Sequence, residues 1–197
     1  MKISYHKYLA LIALFVTALL ISTINVQAAE FNQVLADKSS ISFAYKQMSV
    51  PLDGKFKKFN AQIDFDLAKP EQAQAKFDID VASIDTGSSE GDDEVVGKVW
   101  FNAKTFPKAS FVSTNVKSLG ANRFEVQGNL TIKGKTLPVS VPFTFKQDGA
   151  NAIFDGAFSI KRLDYAIGEG EWADESTIAN QIQIKFHIAV SPGIAKK

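Results

Sequence analysis

The chain has 197 residues, 46% of them hydrophobic and 22% charged, a formal charge of +1, no cysteine and sixteen phenylalanines. Without cysteine there is no disulfide framework, no thiol nucleophile and no lipidation site. A charge so near neutral leaves no basic excess to hold a nucleic acid or an anionic membrane face.

Lys2 and Lys7 precede an apolar run from Leu9 to Ile21, and small residues follow at Val26-Gln27-Ala28. Residues 1–28 read as a secretory signal peptide cut after Ala28. The apolar run of about 13 residues falls short of the ~20 that a spanning helix needs. Losing Lys2 and Lys7 with the leader takes the formal charge from +1 to −1. Residues 29–197 are enough for one domain with a real core, and the expected location is the bacterial periplasm.

Ile41, Phe43 and Tyr45 alternate with polar or small residues, which predicts a strand. Pro51-Leu52-Asp53-Gly54 reads as a turn. Phe59, Ala61, Ile63 and Phe65 mark a second strand, and Ala75, Phe77, Ile79 and Val81 a third, each with a charged outer face. From Ser83 to Lys108 the period-two pattern breaks. There Asp92 is expected to cap a short helix running through Val95, Val96, Val99 and Trp100.

The pattern resumes at 109–117 and is clearest from Phe124 to Phe145. Folding that stretch about Gly134-Lys135, as a type II′ turn, sets Ile132 against Leu137, Leu130 against Val139, Val126 against Phe143 and Phe124 against Phe145. A slip of one residue would turn one strand's apolar side chains to the wet face. Pro138 and Pro142 share a parity, so their missing N–H groups point to one side and place that strand at an edge, a bulge or a poorly paired seam. Phe154 to Ile160 and Ile182 to Val190 complete the strands, with a long loop over 163–180 between them.

About eight strands with turn signals between them argue an all-β sandwich or barrel. An outer-membrane barrel would turn the apolar face to lipid, but long polar excursions at both strand ends and the lack of aromatic belts favour an inward apolar face.

Catalysis has little support. His187 is the one histidine after the leader and lies on an outward face, so Ser/His/Asp arrangements lack a base. The carboxylate pairs Asp64/Asp66, Asp78/Asp80 and Glu169/Glu171 read as solvated surface; Glu169 and Glu171 beside Trp172 also suggest a sugar site, a weaker reading. No acidic run has calcium-loop spacing. No metal or cofactor is expected.

Several motifs, taken together, carry a resemblance. They are Ser83-Ile84-Asp85-Thr86, Trp100-Phe101-Asn102 through Phe106-Pro107-Lys108-Ala109-Ser110-Phe111, Gly128-Asn129-Leu130-Thr131-Ile132-Lys133-Gly134 with Pro138-Val139, and Ile160-Lys161-Arg162-Leu163-Asp164-Tyr165 with Gly168. In this order they resemble the YceI-like proteins over about residues 31–190. The resemblance implies a lipocalin-like eight-stranded antiparallel β-barrel, with a short helix and long mouth loops. It also implies that the lumen holds a long isoprenoid chain, such as a polyprenyl phosphate or an isoprenoid quinone. Homodimers occur in the family, and an envelope membrane protein is a natural donor or acceptor of such a cargo. Many relatives carry Arg-Asp where this chain has Gly91-Asp92, so no role of that arginine carries over.

An eight-stranded barrel is just wide enough to be filled by side chains or to hold one slender ligand. The phenylalanine count and the resemblance favour a cavity, with Phe43, Phe65, Phe77, Val126, Phe143, Phe158, Ile184 and Phe186 as lining candidates. Burial of an isoprenoid tail would contribute roughly 25 cal/mol per Å² of apolar surface removed from water. Arg162 continues the inward parity of Phe158 and Ile160. It is read either as a bidentate grip on a phosphate or quinone oxygen or, more ordinarily, as half of an internal ion pair with Asp164, Glu169 or Glu171. Tyr165 and Trp172 beside it are candidates to close over a ligand. The competing function is an envelope stress or interaction protein whose barrel is filled by its own side chains.

Overall fold

A computed structural model of the chain describes residues 30–193; the expected signal peptide lies outside the described residues. Eleven strand segments run in chain order. They are β1 (Glu30–Val34), β2 (Ser40–Gln47), β3 (Val50–Phe56), β4 (Phe59–Asp66), β5 (Gln74–Asp80), β6 (Ile84–Asp85), β7 (Lys108–Gly120), β8 (Arg123–Ile132), β9 (Lys135–Asp148), β10 (Asn151–Lys161) and β11 (Gln181–Pro192).

Three of the underlying strands are kinked rather than straight. A 3-10 turn at Ala36–Lys38 breaks β1 from β2, a short step divides β3 from β4, and a 3-10 turn at Val81–Ser83 divides β5 from β6. The pairings show each pair of segments to be one strand: β1 and β2 oppose β4 and β3 in turn, and β3 and β4 oppose β6 and β5. Joined so, the segments make eight antiparallel strands, each beside its sequence neighbour. The last returns to the first, with Val190 opposite Val34 and Ile184 opposite Phe43. The expected eight-stranded, lipocalin-like antiparallel barrel is the fold. Closure leaves the alternation of side chains one dry face to point towards, the lumen.

One helix, α1 (Ser89–Val95), belongs to the excursion between β6 and β7. Ser88 caps it, its hydroxyl accepting the Gly91 N–H at 3.1 Å. Asp92, the expected cap, sits too far inside the first turn for that. Its carboxylate accepts the Thr86 N–H (2.6 Å) and hydroxyl (2.8 Å) instead. The helix also ends sooner than expected, at Val95, and Trp100 belongs to the turns that follow.

Two turns differ from the sequence reading. The β8–β9 turn is centred on Lys133 (φ 49°) and Gly134 (φ 76°), both left-handed, which makes it type I′ rather than II′. Leu130 consequently faces Leu137, and Phe124 faces Phe143, a register two residues from the expected one. A shift of two keeps every side chain on its own face, so sequence patterning is blind to it.

The segment from Pro51 to Gly54 is not a turn. It lies within β3, and the chain reverses at Met48 (φ 49°) and Ser49 (φ 69°). Gly54 opposes Phe43 across the ladder, and a methyl group there would lie 2.3 Å from the Phe43 ring. It is glycine because an aromatic side chain lies flat over it.

The prolines of β9 behave as their parity predicts. Odd-numbered residues of β9 close the ladder with β8, beginning at Lys135 opposite Ile132, so Pro138 and Pro142 present their donorless nitrogens towards β10. Pairing of β9 with β10 runs from Asp148–Asn151 and stops at Phe143–Gly156. Beyond that point β9 keeps only β8, and β10 keeps only β11.

The two ends of the barrel are packed differently. At the end holding Glu30, Asp66 and Gly120, the rings of Phe31, Phe65, Phe124, Phe143, Phe145 and Phe154 pack into one plug. Their centroid separations include 5.0 Å for Phe65–Phe154 and 5.3 Å for Phe124–Phe143, with all six side chains buried. The other end carries α1 and the long loop over 162–180.

Candidate functional site: the lumen and its mouth

Above the phenylalanine plug the barrel is hollow. A cavity of about 520 Å³ runs from the plug to the end covered by α1 and the 162–180 loop, a size within the usual range for small-molecule sites. Its wall is aliphatic and aromatic. Phe77 on β5, Val126 on β8, Phe158 on β10 and Ile184 and Phe186 on β11 project into it from around the barrel, with Phe43 on β2. Phe77, Phe158, Ile184 and Phe186 are only half-buried although they point inward. Inward residues of a filled barrel would be fully buried. These side chains instead border open space.

Of the eleven residues expected at the site, ten line the cavity and one, Tyr165, does not. Phe65 and Phe143 form its floor, as part of the plug. Tyr165 ends a 3-10 turn (Arg162–Tyr165), and its side chain is 2% exposed. Burial, with a smaller contribution from Asp164, pushes its phenol up to about 12.

Arg162 takes neither of its expected roles. It is 1% exposed, and its guanidinium is spent on backbone. Nε donates to the Ala179 carbonyl (3.2 Å), one terminal nitrogen to Ile167 (2.9 Å) and Gly168 (3.2 Å), and the other to Trp172 (2.7 Å) and Ile178 (2.7 Å). A guanidinium has five N–H groups, and here all five are used. Its ring-face neighbour is Trp100, with Cζ 5.7 Å from the ring centroid. Burial pulls its pKa down, and Glu175 pushes the other way.

None of Asp164, Glu169 or Glu171 forms a salt bridge with Arg162. Glu169 pairs with Lys133 at 2.8 Å, and the same ammonium donates to the Ala166 carbonyl at 2.7 Å. The hydrogen bond and charge of Lys133 hold the Glu169 carboxyl below its usual range. Arg162 therefore acts as a hub that gathers the mouth loop, and Lys133 pins that loop to the β8–β9 turn. Both jobs depend on acceptors from a loop with no periodicity, which sequence patterning had no means to identify.

Several lining residues are not among those expected from the sequence. Trp100 borders the cavity beside the expected Trp172, their ring centroids 5.4 Å apart, and Trp100 Nε1 donates to Glu94 at 3.1 Å. Helix α1 turns Glu90, Gly91, Glu94 and Val95 to the mouth, facing Tyr45 and Gln47 on β2. The spacing of 90, 91, 94 and 95 is one face of a helix, a signal readable once the helix start is correctly placed. His187 lies outside, 2.6 Å from Asp155.

Fold and site together define a lipocalin-like barrel with a hollow apolar lumen and a mouth built by one helix and one loop. The chain belongs to the YceI-like domain family, whose model matches residues 33–190. It is 34% identical over 122 residues to a UPF0312 protein of Azotobacter vinelandii, a match covering 59% of this chain but only 64% of that protein. A UPF0312 protein of Pseudomonas fluorescens is 34% identical over 144 residues, covering 68% of this chain and 71% of that one. Among solved structures, BcnA of Burkholderia cenocepacia is 50% identical with a TM-score of 0.78, covering 80% of this chain and 99% of its own. A polyisoprenoid binding domain from Saccharophagus degradans shares the fold at 14% identity and a TM-score of 0.64, covering 85% of this chain and 100% of that domain.

Proposed function

We propose that this protein binds and carries a long-chain isoprenoid lipid in its lumen, within the envelope of a bacterium. The observation that carries the reading is the hollow of about 520 Å³ walled by Phe43, Phe77, Phe158, Ile184 and Phe186. Such a wall offers a flexible apolar chain burial from water, worth roughly 25 cal/mol per Å² before the entropy of confining it. The polyisoprenoid-binding neighbour of the same fold supports the choice of cargo. The leader-like residues 1–28 support export to the periplasm, where a membrane protein would load or unload the barrel. The competing reading, an interaction protein with a filled barrel, leaves the hollow without a purpose.

The test is organic extraction of natively purified protein followed by mass spectrometry, alongside an Ile184→Trp variant that fills the lumen. An isoprenoid near one per chain in the parent, lost in a folded Ile184→Trp protein, is the expected result. An empty lumen that takes up no polyprenol from solution overturns the proposal.

A further inference from the structure

Only one cationic side chain among the described residues lines the cavity, and it is Arg162. All five of its N–H groups are already donated to carbonyls of the mouth loop. It has nothing left to offer an anion. Acids, by contrast, reach the cavity from two sides: Glu90 and Glu94 at the mouth, and Asp64 on a flank where β4 pairs with β5.

Nor does α1 supply an anion seat. It is seven residues long with four acids, Glu90, Asp92, Asp93 and Glu94, and no base. The Gly91 N–H of its first turn is taken by Ser88, and the loop N–H of Thr86 by Asp92. Lys55 and Lys57, on and just after β3, sit on Asp85 of β6 at 3.8 and 3.5 Å. Neutral polar groups do face the opening, namely Tyr45, Gln47, Thr86 and Ser88.

Resting on the carriage reading above, we propose that the mouth selects an isoprenoid with an uncharged polar head, an alcohol or a quinone, and discriminates against one ending in phosphate. A hydroxyl head can donate to Glu90 or Glu94, and a carbonyl head can accept from Tyr45 or Gln47. A phosphate carries a charge of about −1.5 to −2 at pH 7. Held beside the Glu90 and Glu94 carboxylates without a compensating cation, it meets repulsion from both. At the effective dielectric of a protein surface that repulsion amounts to roughly a tenfold or greater loss of affinity. Salt weakens it, since screening operates over about 8 Å at physiological ionic strength.

The experiment compares geranylgeraniol with geranylgeranyl phosphate, which share one tail, at low and high salt. Binding is read from the fluorescence of Trp100 and Trp172, both of which border the lumen. The parent protein should bind the alcohol at least tenfold more tightly at low salt, with the ratio shrinking as salt rises. Glu90→Gln with Glu94→Gln should bring the ratio close to one by strengthening phosphate binding. Glutamine at 94 keeps an oxygen for Trp100 Nε1. Glu90→Gln alone, at a side chain that makes no hydrogen bond or ion pair among the described residues, serves if the double variant unfolds, and should move the ratio in the same direction.

Equal or tighter binding of the phosphate, or a ratio unmoved by the glutamine variants, overturns this inference and leaves lipid carriage standing. Failure of both probes to bind overturns carriage and the inference together.

Discussion

Replacing Arg162 by alanine is the sharpest perturbation of this structure. The side chain donates five hydrogen bonds to carbonyls at 2.7 to 3.2 Å while 1% exposed. Hydrogen bonds from a charged donor contribute roughly 1.5–3 kcal/mol each, so the gross interaction is roughly 7–15 kcal/mol. Most of that is offset. The cation no longer has to be desolvated, and water admitted through the loosened mouth meets several of the abandoned carbonyls. What remains is about 3–5 kcal/mol, the usual cost of removing one side of a buried charged network. Against a total of roughly 5–15 kcal/mol for a domain, the variant should be folded but much weakened. Urea unfolding followed by circular dichroism measures it as a fall in the midpoint. Arg162→Lys should lose nearly as much, because three N–H groups on one nitrogen cannot serve carbonyls spread over residues 167–179. A loss under about 1 kcal/mol for alanine, with the mouth loop still protected from proteolysis, would refute the hub.

Two further outcomes follow from close contacts and from titration. Gly156→Ala places a methyl group 2.3 Å from the Phe186 ring and 2.6 Å from the Pro142 carbonyl oxygen; overpacking of this kind costs about 1–3 kcal/mol, read as a lowered thermal midpoint. Asp92 has its carboxyl pKa lowered from 3.8, chiefly by the Thr86 N–H and then by the Thr86 hydroxyl. A depressed folded pKa means a contribution present above the unfolded value and lost as pH falls from near 4 through the folded value. Asp92→Asn should therefore flatten the stability profile below pH 4 relative to the parent in acid titrations. An unchanged profile would mean that the Asp92–Thr86 contact does not form in solution.

Face assignment was legible wherever the chain alternates, because pairing partners do not need to be known to see which side is dry. Phe154 to Ile160 and Ile182 to Val190 declare their inward sides by parity alone, and the ladder between β10 and β11 confirms them. Pairing itself was harder. The β8–β9 register came out two residues away, because Lys133 accepts a left-handed conformation that its side chain does not advertise. Pro51 and Gly54 resembled turn residues yet serve a strand, one at an exposed position near the rim and the other beneath the Phe43 ring. Asp92 and Ser88 are both good helix caps, and only the folded backbone chose between them. Nine of the ten anticipated residues that border the cavity were reached through inward parity, the one property a lumen requires, and Trp172 through its place in the loop after Arg162. Arg162 was placed correctly and understood wrongly, since its partners lie in an aperiodic loop.

The prolines of β9 carry a consequence beyond local pairing. A barrel ordinarily escapes the hazard of unsatisfied strand borders by closing on itself, yet here the wall lacks rungs beside Pro138 and Pro142. Such a slit would normally invite a foreign strand to dock and seed aggregation. With no hydrogen to donate on either side of Ser140, β9 makes a poor template, so the same residues that open the slit also guard it.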